Sequence, residues 1–108
     1  MDNFTQLAGG AQATNGIWLP QGAALYLGGD SSSVPAVNTF LEWVQKVHPG
    51  FTADLYTLYG WASAELLVQA LKSAGSTPTS SSLLAALKQK TNFNASGLLA
   101  PANPAGRP

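Results

Sequence analysis

Two clusters of helix breakers do most to limit what this chain can become. His48-Pro49-Gly50 and Gly75-Ser76-Thr77-Pro78 interrupt any regular backbone, because proline disfavours helical geometry in the residue before it and glycine permits a sharp turn. They divide positions 35 to 90 into three segments, each carrying apolar residues at helical spacing. In the first, Val37, Phe40, Leu41, Val44 and Val47 share one face, which predicts a helix from Pro35 to Val47. Ser33 or a neighbouring serine is placed to cap it, and Pro35 suits its first turn.

The second segment predicts a longer helix, from about Ala53 to Ala74. Leu55, Leu58, Tyr59, Ala62, Leu66 and Ala70 form its stripe, and Trp61, Leu67 and Leu71 widen it, so this helix should touch more than one neighbour. Lys72 and Gly75 make an ordinary C-terminal end. A third helix is expected from about Ser80, capped by Thr79 or a nearby serine, to about Lys90, with Leu83, Leu84 and Leu87 on its apolar side. The expected core comprises Phe40, Leu41, Val44, Leu58, Ala62, Leu66, Leu84 and Leu87.

Strand signals are short and lie outside these helices. Gly16-Ile17-Trp18-Leu19-Pro20 reads as the end of a strand stopped by proline, and Gly97-Leu98-Leu99-Ala100 as a second short strand. Pro101 to Gly106 is turn material. Residues 1–14 read as a loop or a frayed helix end, and Gln21 to Ser33 as a connection too rich in glycine and serine to fill a core. The helices differ in length and pattern, so there is no internal repeat.

Composition narrows the function classes. The 108 residues have a formal net charge of zero, and charged residues make up only 9% of them, against about 25% in typical soluble domains. Scattered single charges provide no footprint for nucleic acid or an anionic membrane surface, and their scarcity points to surface normally covered by other protein. No apolar run approaches the roughly 18 residues of a membrane span, so no membrane insertion by this segment is expected. The opening residues lack a signal-peptide pattern, and any export signal is expected outside this stretch.

Chemistry-bearing motifs are sparse. With one histidine and no cysteine, a transition-metal site would have to combine His48 with carboxylates, and no spacing supports that. His48 reads as a solvated helix-end residue. No nucleophile elbow, paired carboxylates or phosphate loop appears, so neither an enzyme nor a cofactor is indicated. Asn3-Phe4-Thr5 and Asn94-Ala95-Ser96 match the glycosylation sequon, a pattern short enough to recur by chance. Tyr56, Tyr59 and Trp61 remain, on the first two turns of the long helix. They either pack in the core or form the wall of a ligand pocket, where an aromatic face supplies apolar area and tyrosine a polar tip.

The stretch Ala53-Asp54-Leu55-Tyr56-Thr57-Leu58-Tyr59-Gly60-Trp61-Ala62-Ser63-Ala64, continuing to Gln69-Ala70-Leu71-Lys72-Ser73-Ala74-Gly75, resembles the branched-chain amino-acid-binding family of type I periplasmic binding proteins. In that family a Pro-Gly turn, an acidic residue and an aromatic residue precede a helix ending in Ala-Leu and Ala-Gly. Asn15 to Trp18 is similar to its crossover strand, Pro35 to Val47 to the helix that follows, and Leu83 to Leu87 with Phe93 and Gly97 to the elements before its last hairpin. The sequence departs at Ala62, where the family often has an acidic residue, and at Pro101-Ala102, where it often has Phe-Asp.

The resemblance covers about Asn15 to Pro108 and implies the incomplete C-terminal part of such a domain, a mostly helical α/β fragment of one lobe. It further implies an extracytoplasmic solute-binding protein that closes two lobes over an amino acid and delivers it to an ABC transporter permease without chemistry. Tyr56 matches the position of an aromatic lying against the ligand side chain, with Tyr59 and Trp61 as further candidates. Two other readings stand beside it: a self-contained helical protein–protein interaction domain, and a fragment of an enzyme.

Overall fold

The computed structural model describes residues 4–18 and 20–104. Helix takes up 56% of them. Five α-helices occur in the order α1 (Phe4–Leu7), α2 (Ala11–Thr14), α3 (Pro35–Val47), α4 (Leu55–Ala74) and α5 (Ser80–Lys88), with 3₁₀ turns at Gly29–Ser31 and Ala95–Gly97. Among the described residues there is no sheet. Antiparallel pairing is confined to two isolated bridges, Ala23 with Leu99 and Phe93 with Ala102.

The three long helices lie where the breakers put them. Pro35 occupies the first turn of α3, where its missing N–H is not needed. The expected serine cap is absent, however: Val34 holds the cap position without a side-chain bond. The chain enters α3 through the Asp30 carbonyl instead, which accepts from the Ser33 and Val34 amides at 3.1 and 2.8 Å. Asp54 caps α4 and Thr79 caps α5, each through a reciprocal capping box that satisfies two otherwise orphaned donors. Gly75 ends α4 at φ +97°, a conformation that favours glycine. The first fourteen residues, expected as loop or frayed helix, contain the single turns α1 and α2, neither of which buries a residue.

Two strand expectations change. Around Leu19, which lies outside the described residues, residues 16–18 and 20 form no strand, and Trp18 is 94% exposed. A strand requires a partner ladder, and nothing described pairs with this segment. Positions 97–100 contain the end of a 3₁₀ turn and one bridge residue, held by the Ala24 amide donating to the Leu98 carbonyl and the Ala100 amide to the Gly22 carbonyl, both at 2.9 Å. Ala102, expected in a turn, exchanges two backbone hydrogen bonds with Phe93 at 2.7 and 2.8 Å. The Ala105-Gly106 part of that expected turn lies outside the described residues.

The core is small and partly made of alanine: Val37, Phe40, Val44, Ala53, Leu58, Ala62, Ala95 and Leu98. Phe40 sits at its centre, with the rings of Tyr26 and Trp61 meeting it edge-on at 5.9 and 5.8 Å. Leu41, Leu66 and Leu87 are half-buried. Leu84 is 58% exposed, contrary to expectation, and Ala86 is the buried residue of α5. Helix α5 has only nine residues and packs on α4, so a close approach through Ala86 sets its rotation and leaves Leu84 outside.

After α5 the chain turns through three non-glycine residues with positive φ, Asn92, Ala95 and Ser96. This tight winding brings Ala95 and Leu98 into the core, and the Ser96 hydroxyl fastens it to α4 by donating to Glu65 Oε1 at 2.7 Å. Gly97 completes the turn at φ +99°, where an added Cβ would stand 3.2 Å from Val34 Cγ1. Gly97→Ala is therefore expected to lower unfolding stability by about 1–3 kcal/mol, measured by urea denaturation. An unchanged midpoint would mean that this turn is not anchored as described.

The molecule leaves much surface uncovered. Its radius of gyration is 17.3 Å, against about 13 Å for a compact domain of this length. It exposes 7885 Å², where a folded monomer of 11.2 kDa exposes about 5,700 Å².

Candidate functional site

The aromatic residues nominated by the sequence sit on the first two turns of α4, and Asp54 fixes where that helix begins. The Asp54 carboxylate accepts from the Thr57 amide at 2.7 Å and from the Thr57 hydroxyl at 2.6 Å, while the Asp54 amide donates back to Thr57 Oγ1 at 3.5 Å. An Asp-x-x-Thr pattern ahead of an apolar run was available in the sequence as a helix-start signal.

These bonds determine how Asp54 titrates. The hydrogen bond from the Thr57 side chain, followed by that from its backbone, holds the carboxyl below its ordinary range, because both favour the charged form. With the folded value depressed, the cap's contribution is fully present above the unfolded pKa and is lost as pH falls through the folded one. Acidification is thus expected to loosen the first turn of α4, seen as faster amide exchange at Leu55 to Thr57, with Asp54→Asn largely removing that dependence. A first turn equally protected at neutral and acidic pH would contradict this.

Helical geometry separates the three aromatics. Tyr56 and Tyr59 are about 60° apart around the axis and point outward; Tyr56 is 83% exposed and Tyr59 45%. Trp61 lies on the side of Leu58 and Ala62 and packs its ring against Phe40. The structure therefore does not gather Tyr56, Tyr59 and Trp61 into one pocket. The core reading fits Trp61, whereas Tyr56 stands free of the core.

Two hollows flank the start of α4. One, of about 340 Å³, is an almost wholly apolar groove between α3 and α4 and takes in Trp61. The other, of about 680 Å³, lies between the 21–29 connection and the α4 cap and is lined by Tyr26, Gly28, Gly29, Thr52 and Asp54 among others. Burial, and then the negative charge of Asp54, push the Tyr26 phenol above its ordinary value. The Asp30 carboxylate helps shape this wall by accepting from the Leu25 amide at 2.8 Å. Tyr26 carries no sequence signal of its own, because it lies in a Gly/Ser-rich connection without periodicity. Neither hollow includes Tyr56 or Tyr59.

Among the described residues no group of three or more His, Cys, Asp or Glu could hold a metal ion, and no helix is long and apolar enough to cross a membrane. His48 is exposed at the end of α3, its ring tilted against Phe51 at 5.4 Å. No protein-family model, curated protein or solved structure matches this chain.

Proposed function

We propose that this chain is part of an extracytoplasmic solute-binding protein of the branched-chain amino-acid-binding type, and that it supplies part of one lobe and an aromatic contact to a cleft closing over the solute. The observation that carries this reading is Tyr56: a large aromatic side chain, 83% exposed, on the first turn of a helix whose start is fixed by a reciprocal cap. An aromatic directed outward from a fixed helix start has its face available to a ligand, and with two side-chain torsions it has less freedom to lose on contact than a longer side chain. In this reading the protein performs no reaction, and a transporter permease receives the solute.

The expected behaviour is asymmetric. A cleft binder draws its contacts from both lobes, so leucine titrated into the isolated chain should give no measurable heat. The two-lobed protein carrying this segment should bind leucine, isoleucine or valine saturably. Micromolar binding of leucine by the isolated chain, or no binding of any of the three by the two-lobed protein, would refute the proposal. A second reading, a self-contained helical protein–protein interaction domain, is favoured by α3 and α4 sharing a core, with α5 packed on α4, and by the lack of a sheet among the described residues. The absence of amino-acid binding by the longer protein would leave that reading standing.

A further inference from the structure

A third hollow, of about 520 Å³, is formed by the first turn of α3, the middle of α4 and the 95–97 turn. Its lining follows from helical spacing: Trp61 and Glu65 stand one turn apart on α4, Pro35 and Thr39 one turn apart on α3, and Ala36 and Ser96 complete it. The half-buried Glu65 carboxylate is held in place through one oxygen. Its Oε1 accepts from Gln69 Nε2 at 3.1 Å and from the Ser96 hydroxyl at 2.7 Å, whereas Oε2 has no donor among the described residues. No lysine, arginine or histidine lines the hollow, and among the described residues Glu65 forms no ion pair. Ser96 stands at φ +58°, a conformation uncommon outside glycine. Residues held in such conformations cluster at sites that clamp ligands.

We infer that this hollow binds a small primary amine as its ammonium ion. Valence is the first argument. The carboxylate can only accept, the Ser96 hydroxyl has its proton engaged with Glu65 and offers lone pairs, and the Thr39 hydroxyl can accept as well. An ammonium group supplies three N–H donors from one atom, enough for Glu65 Oε2, Ser96 Oγ and Thr39 Oγ1 together. Charge is the second argument, since a hydroxyl could donate to Glu65 but could not balance its charge. The Trp61 ring adds an aromatic surface of the kind that attracts cations, and Pro35 and Ala36 offer apolar surface to the body of the ligand. The volume lies in the range of small-molecule sites, roughly 300–1,000 Å³, which argues for a free molecule rather than the tip of one side chain. Glu65 is nine residues beyond Tyr56, about half a turn away around α4 at roughly 100° per residue. The site therefore lies on the opposite face from the aromatic contact assigned to the solute, and it does not depend on that assignment.

Titration of n-butylamine into the 108-residue chain at neutral pH, followed by amide chemical shifts in nuclear magnetic resonance, tests this. Saturable shifts are expected at Thr39, Glu65 and Ser96 with a dissociation constant of about 1 mM, an ordinary affinity for so small a ligand. The uncharged 1-butanol should bind at least about tenfold more weakly. Glu65→Gln keeps an acceptor oxygen for Ser96 and Gln69 but removes the charge, and should raise the butylamine dissociation constant by roughly tenfold or more. Thr39→Val, at an exposed position on α3, should raise it about threefold with helical circular dichroism unchanged. Absence of saturable shifts at these three residues would overturn the inference, as would equal binding of 1-butanol or parent-like affinity in both variants. Loss of these shifts in the two-lobed protein carrying this segment would also overturn it, because a side chain from the rest of that protein would then fill the hollow.

Discussion

Phe40→Ala is expected to abolish the cooperative unfolding of this chain and most of its helical circular dichroism at room temperature. Phe40 is fully buried and is the one residue that joins Tyr26 in the connection, α3, and Trp61 on α4 through direct ring contacts. Truncating a buried phenylalanine costs about 3–5 kcal/mol, part of it from the cavity left behind. Three of the eight clustered core residues are alanines, Ala53, Ala62 and Ala95, so the neighbours have little side-chain volume with which to refill the space. A small domain has about 5 kcal/mol at the low end of ordinary stability, and the loss is of the same size. Phe40→Leu keeps most of the volume and should retain a transition at lower temperature. A cooperative transition in Phe40→Ala close to that of the parent chain would show that the core is not centred where it is described.

What could be read from the sequence and what could not divide along physical lines. The boundaries of α3, α4 and α5 are written locally, in Pro35, in the turn at His48 to Gly50, in Gly75 and in Thr79, because helix hydrogen bonds join neighbours in sequence. Strands are not local. Gly16 to Pro20 has a strand-like composition, yet the ladder it would require has no counterpart among the described residues.

Core membership was legible for Phe40, Val44, Leu58 and Ala62, where large or striped residues mark a face. It was not legible for Ala53, Ala95 and Leu98, which are buried by turn geometry and by the positive-φ winding after Asn92. The misplacement of Leu84 has a related cause, since apolar periodicity gives an apolar side but not the rotation that a short helix adopts against its neighbour. Within the candidate site, the separation of Trp61 from Tyr56 was implicit in their five-residue spacing. It needed only the helix angle of about 100° per residue.

Tyr56→Ala, made in the two-lobed protein that carries this segment, tests the solute-binding account most directly when leucine affinity and melting temperature are measured on the same sample. Tyr56 lies outside the core cluster and outside both hollows, so its removal should leave the melting temperature of the unliganded protein unchanged. Burial of one aromatic face against a ligand contributes about 1–3 kcal/mol. The account therefore predicts a leucine dissociation constant raised by roughly five- to 150-fold at constant stability. Unchanged leucine affinity accompanied by a clear fall in melting temperature would contradict it, making Tyr56 a packing residue of the assembled lobes and leaving the cleft without its proposed aromatic contact.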